Sequence, residues 1–143
     1  MTTERQLDLL KSVRQRGVRP PLALERETQI ALVETLDRYG GLASGWEVFH
    51  IPNGELRSDK TGALLKRMGA KAGVLDLEFL SPTGQAHFLE LKRGRQPLTE
   101  AQTAFIARQD KRGVPTAVAR SYAEALAILK TWGALKTTIR VAA

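Results

Sequence analysis

The sequence predicts an α/β fold in which helices flank a central mixed β-sheet. Three observations carry that expectation. Apolar residues recur at helical spacing in several segments, two neighbouring segments alternate with period two, and glycine- or proline-containing turns separate them. The main elements are expected in the order α, β, β, β, α, β, α.

Thr3 to Arg16 reads as a short helix, with Thr3 and Gln6 as a capping box, Leu7, Leu10 and Val13 on one face, and Gly17 at its end. Pro20 and Pro21 break the chain, so residues 17 to 23 read as a linker. Leu24 to Tyr39 is the next helix, with Ile30, Val33 and Leu36 at helical spacing and Gly40-Gly41 closing it. Trp46 to Ile51 reads as a strand stopped by Pro52-Asn53-Gly54. The basic stretch from 57 to 71 is expected to hold a short helix around Ala63 to Met68.

Val74 to Leu80 and Gln85 to Lys92 are strands joined by Ser81-Pro82-Thr83-Gly84, a turn-forming tetrapeptide. Thr99 to Arg112 is a helix with Thr99 and Gln102 as capping box and Gly113 after it. Thr116 to Ala119 is a short strand. Ser121 to Trp132 is the last helix, capped by Ser121 with Glu124 and ended by Gly133. Residues 1–23 thus read as an N-terminal helical arm and linker, 24–133 as the principal domain, and 134–143 as a C-terminal tail.

Composition narrows the functional classes. A chain of 143 residues with 43% hydrophobic content suits one domain with one core. The absence of cysteine excludes disulfides, thiolate catalysis and cysteine-based zinc sites. No apolar run reaches the roughly 18 residues of a membrane helix. The polar N-terminus lacks a secretory signal, and a cytoplasmic location is expected. A formal net charge of +7 favours a polyanionic partner, with nucleic acid ahead of a membrane surface because no basic amphipathic helix stands out. A soluble protein that is merely basic is the alternative reading.

The two alternating strands carry the chemistry. Side chains alternate along a strand, so Leu75, Leu77 and Phe79 share one face while Asp76 and Glu78 share the other. On the next strand Leu89 and Leu91 oppose Phe88, Glu90 and Lys92. A turn centred on Thr83 puts both apolar sets on one core and sets Leu75 against Leu91, Leu77 against Leu89, and Asp76 against Glu90. Like charges directly opposed across a hairpin destabilise it and raise one another's pKa unless a cation lies between them. Two carboxylates with no softer donor beside them suit a hard ion such as Mg²⁺ or Mn²⁺. Lys92, two residues beyond Glu90, reaches the same site. Such a set matches the needs of phosphodiester hydrolysis. The competing reading is a solvated strand face on which the lysine pairs with an acid.

Five segments then occur in a telling order: Ile51-Pro52-Asn53-Gly54; the basic stretch through Gly69; Lys71-Ala72-Gly73-Val74-Leu75-Asp76-Leu77; Leu89-Glu90-Leu91-Lys92; and Leu98-Thr99-Glu100-Ala101-Gln102. Together they resemble the VRR-NUC branch of the PD-(D/E)XK nucleases over about residues 25 to 132. The resemblance implies a restriction-endonuclease-like core, a Mg²⁺ or Mn²⁺ cofactor and hydrolysis of DNA. It implies that Asp76 and Glu90 bind the metal, that the Leu91 carbonyl completes the shell, and that Lys92 is the catalytic lysine. Glu27 matches the helical acid that joins such sites through a metal-bound water, and Gln102 matches the glutamine after the catalytic strand. Single-domain members resemble homodimeric, Holliday-junction-resolving enzymes, so branched DNA and a second copy of the chain are the implied partners. Leu75 departs from the usual proline before the aspartate, and Glu55 from a second glycine after Asn53-Gly54.

The remaining residues have two readings each. Glu27 also suits the first turn of a helix through the helix dipole. Gln102 can equally be only the capping partner of Thr99. Glu78 and the two histidines, His50 and His87, read as structural or solvated. Arg57, Lys60, Lys66, Arg67 and Lys71, with Arg93 and Arg95 after the catalytic strand, form an expected phosphate-gripping surface or a solvated charged loop. Asn53 turns a strand end or touches DNA. A DNA-binding module without turnover, serving a recombination or repair assembly, is the alternative function. A sequence-specific restriction enzyme is disfavoured because no added recognition domain is visible.

Overall fold

The computed structural model describes residues 23–53 and 59–141. The predicted arm with most of its linker, and Gly54, Glu55 and Arg57, lie outside these residues. Helix α1 (Ala23–Val33) runs into a π-helical turn (Glu34–Arg38). Strand β1 (Glu47–His50) and helix α2 (Asp59–Arg67) follow, then the hairpin of β2 (Leu77–Leu80) and β3 (Ala86–Leu91). Helix α3 (Glu100–Lys111), strand β4 (Thr116–Ala119) and helix α4 (Tyr122–Trp132) complete the order.

The four strands form one mixed sheet in the order β1-β2-β3-β4. β1–β2 and β2–β3 are antiparallel and β3–β4 is parallel. A tight turn can join only antiparallel neighbours, whereas the parallel pair needs the α3 crossover. Leu77 pairs with Leu89 and Phe79 with His87, as the alternation predicts, but β2 starts only at Leu77, so the expected Leu75–Leu91 and Asp76–Glu90 pairings fall before the ladder. The turn closes through the Ser81 N–H on the Gln85 carbonyl at 3.0 Å. Gly84 takes φ +82° there, a value that a side chain would strain.

One face of the sheet is the core. Leu77, Phe79 and Leu89 are fully buried, against Leu32 and Leu36 from the α1 side and Ala125, Leu126 and Leu129 from α4; Leu75 is fully buried outside this cluster. Ile30, expected on the packed stripe, is 51% exposed. The buried stripe runs instead through Leu32 and Leu36 with Val33 at its flank, so the helix is rotated from the 30-33-36 reading. His87 is structural: its ring lies between Trp46 and Trp132, at centroid distances of 4.9 and 5.0 Å. On the opposite face Phe88 meets Phe105 edge-on at 5.0 Å, which seats α3 against β3.

The helix caps follow the sequence in part. Thr99 accepts from the Gln102 N–H, and Gln102 Oε1 accepts from the Thr99 N–H, a complete capping box. Ser121 accepts from the Glu124 N–H, but the Glu124 carboxylate accepts from the Arg120 N–H instead of the cap residue's own. After Gly133, at φ +78°, the chain folds back: Ala134 and Leu135 are buried, Leu135 bridges to Leu42, and Ile139 and Val141 pack on the core. No helix among the described residues is long and apolar enough to cross a membrane.

Candidate active site

Backbone geometry delivers Asp76 to its place. Gly73 adopts φ +86°, and a Cβ there would lie 2.3 Å from the Ala101 carbonyl oxygen. Only glycine lets the chain pass this close under the first turn of α3. Asn53 Nδ2 donates to the Lys71 carbonyl at 2.8 Å and reaches the Val74 carbonyl at 3.4 Å, tying the end of β1 to the loop that carries Asp76. The Ile51 N–H donates to the Asp76 carbonyl at 2.9 Å. Asn53, one of the residues expected to touch DNA, thus spends its amide hydrogens on the protein's own backbone.

Asp76 and Glu90 interlock across the strand ends. The Leu91 N–H donates to Asp76 Oδ2 at 2.8 Å, and the Asp76 N–H donates to Glu90 Oε2 at 3.2 Å. Gln102 Nε2 donates to Glu90 Oε1 at 2.6 Å. Lys92 Nζ lies 3.5 Å from that same oxygen, and the lysine and glutamate side chains are 8% and 4% exposed. Gln102 therefore makes two contacts at once: Oε1 completes the expected α3 cap and Nε2 donates to Glu90.

Burial, and then the neighbouring Asp76 charge, push Glu90 from the ordinary 4.5 up to about 7, while Lys92 and the Asp76 N–H act in the opposite sense. A buried glutamate whose ionisation is opposed by burial and by a neighbouring carboxylate is suited to a divalent cation, which would remove the repulsion. Among the described residues no group of three or more His, Cys, Asp or Glu side chains could hold a metal. The donor set is the acid pair, with the Leu91 carbonyl next to Glu90 in the chain. Mg²⁺ bound through one or two carboxylates, waters and substrate oxygens fits that set.

Other expected residues fall nearer to or farther from the pair. Glu27 is exposed, and no hydrogen bond or ion pair links it to Asp76, Glu90 or Lys92. Glu25 is the α1 acid that reaches the segment after β3, accepting from the Arg93 N–H at 2.9 Å and lining a 130 Å³ cleft with Lys92 and Arg120. Its signal was present in the sequence: Glu25, Leu32 and Leu36 share one helical stripe, and Glu27 lies off it. His50 Nδ1 stands 2.8 Å from Gln29 Nε2 and 3.1 Å from the Asp76 carbonyl, so this histidine, read as structural, abuts the backbone of a candidate ligand.

The basic residues stay outside the pair. Lys60, Lys66, Arg67, Lys71 and Arg95 are exposed and Arg93 is half-buried. Arg120 donates to the Gly94 and Gln96 carbonyls at 2.9 and 2.8 Å and so braces the loop that follows Lys92. No protein-family model, curated protein or solved structure matches this chain.

Proposed function

We propose that the protein is a metal-dependent DNA endonuclease of the PD-(D/E)XK type, with Asp76 and Glu90 as ligands of Mg²⁺ or Mn²⁺ and Lys92 as the catalytic lysine. The observation that carries this reading is buried Glu90, tied to half-buried Asp76 by the Asp76 N–H, with the Lys92 ammonium 3.5 Å from its carboxylate. A bound ion would supply an activated water and offset charge at the scissile phosphate.

The chain's own groups do the remainder. The Leu91 N–H fixes the Asp76 carboxylate, and Gln102 with the Asp76 N–H fixes Glu90, so neither ligand has to reorganise during the reaction. Glu90 must give up its proton before it can bind a cation. Lys92 offers fixed positive charge where charge accumulates on phosphorus-bound oxygens, in a setting poor in water. The net charge of +7 supplies long-range attraction to DNA. A homodimer would place two such sites about a twofold axis, the symmetry of paired cuts in a branched junction.

The test is cleavage of labelled linear duplex, single strand, flap, fork and four-way junction, each with Mg²⁺, Mn²⁺ or EDTA. Paired cuts in the four-way junction, abolished by EDTA, are expected. Cutting of another form replaces the substrate and keeps the chemistry. Tight DNA binding with no metal-dependent cutting of any form overturns the enzyme. That outcome would favour the second reading, a non-catalytic DNA-binding module, which has one observation on its side: Lys92 already neutralises Glu90 from within.

A further inference from the structure

A second concave surface adjoins the acid pair and is not used by the chemistry above. It encloses about 320 Å³ between Ile51 and Pro52 at the end of β1, Leu65 of α2, and Gly69, Lys71 and Val74 in the loop leading to Asp76. That volume is at the lower end for small-molecule sites, the scale of a single heterocycle.

The groove is preformed. Asn53 clamps the Lys71 and Val74 carbonyls, and the Ala70 N–H donates to the Leu65 carbonyl at 2.9 Å. Its walls are aliphatic and its surroundings cationic: Lys66, Arg67 and Lys71 are exposed, and no acid occurs from Lys60 to Leu75. An occupant must be apolar within and anionic without. A nucleotide is such a molecule, with an apolar-faced base on a charged phosphate. The groove is tied to the site through the backbone: Val74 lies two residues before Asp76, and the Ile51 N–H bonds the Asp76 carbonyl.

We infer that this groove receives one unpaired nucleobase of the bound DNA. The inference rests on the DNA-binding part of the reading above and gives it a source of substrate choice. A base inside a duplex must be unstacked and unpaired to enter, whereas a base beside a branch or in a single strand has already met that cost.

The test is binding by the full-length protein in EDTA to two forked duplexes. One carries 2-aminopurine at an unpaired position beside the branch, and the other has an abasic site there. The base-bearing fork is expected to bind about tenfold more tightly, the scale of burying part of one base against aliphatic walls. Ala70→Leu, which fills the groove, should remove that difference while the abasic fork still binds. Leu65→Ser, which makes one wall polar, should reduce it and serves if the first variant does not fold. Equal affinities for the two forks in the parent, or a difference that survives both substitutions, overturns the inference. The readout needs no metal, so failure of cleavage and failure of the groove are separate results.

Discussion

The acid pair and helix α2, the two parts that the proposed nuclease would use, are built in opposite ways. Glu90 is locked from Gln102, Lys92 and the Asp76 N–H, with its side chain 4% exposed. Helix α2 buries none of its residues and presents Lys60, Lys66 and Arg67 to solvent. Bond-breaking chemistry requires groups held in place before the substrate arrives. Phosphate binding works with solvated charges that release counterions on contact. The contrast predicts that substitutions on the hairpin change rates, whereas substitutions on α2 change affinity and its salt dependence.

The largest effect belongs to the hairpin. Asp76→Ala or Lys92→Ala should each lower single-turnover cleavage by about 10³-fold, the scale of losing one preorganised electrostatic partner. Next comes the backbone that delivers Asp76. Gly73→Ala places a Cβ against the Ala101 carbonyl at a positive φ and should destabilise the fold by about 2–4 kcal/mol in urea titrations. An unchanged midpoint would show that the loop can shift, and that the site is less constrained than the contrast requires.

Gln102 and Thr99 separate structure from chemistry. Thr99→Ala and Gln102→Ala both break the α3 cap, at about 1 kcal/mol each. Only Gln102→Ala also releases Glu90, so it alone should slow cleavage, by roughly tenfold, as supporting residues of metal ligands do.

Proton linkage gives a smaller, continuous effect. The folded, metal-free protein favours neutral Glu90, with its pKa raised to about 7 from 4.5. That contribution to stability is fully present below the unfolded value and is lost as pH rises through about 7. Melting temperature in EDTA should therefore fall across this interval, and Glu90→Gln should flatten the dependence. Divalent-ion affinity should rise over the same range, because the ion competes with the proton. The smallest effect on the fold belongs to α2. Replacing Lys66 and Arg67 together by alanine should leave stability within about 0.5 kcal/mol. The same pair should reduce the salt slope of DNA binding by about 2 if each touches one phosphate.

The same contrast explains what could be read from the sequence. The hairpin register was legible because period-two alternation and a four-residue turn leave a single pairing that buries both leucine sets. The Thr99–Gln102 box was legible because it is local. That the same glutamine also grips Glu90 depends on where α3 lands on β3, and no local pattern encodes it. Glu27 was expected from the resemblance alone; Glu25 lies instead on the stripe that Leu32 and Leu36 set where they meet the sheet. Asn53 and His50 act on the Lys71, Val74 and Asp76 carbonyls, contacts between segments distant in the chain that charge and spacing do not mark.

The most direct test compares the parent with Glu90→Gln in one experiment: single-turnover cleavage of a four-way junction in Mn²⁺, beside melting of the same preparations at about pH 8. The glutamine keeps the shape of the side chain and removes a buried charge. The account predicts a variant that melts no lower than the parent and cleaves about 10³-fold more slowly. A variant that cleaves like the parent would contradict it, and Glu90 would then be a buried partner of Lys92 and not a ligand of the catalytic ion.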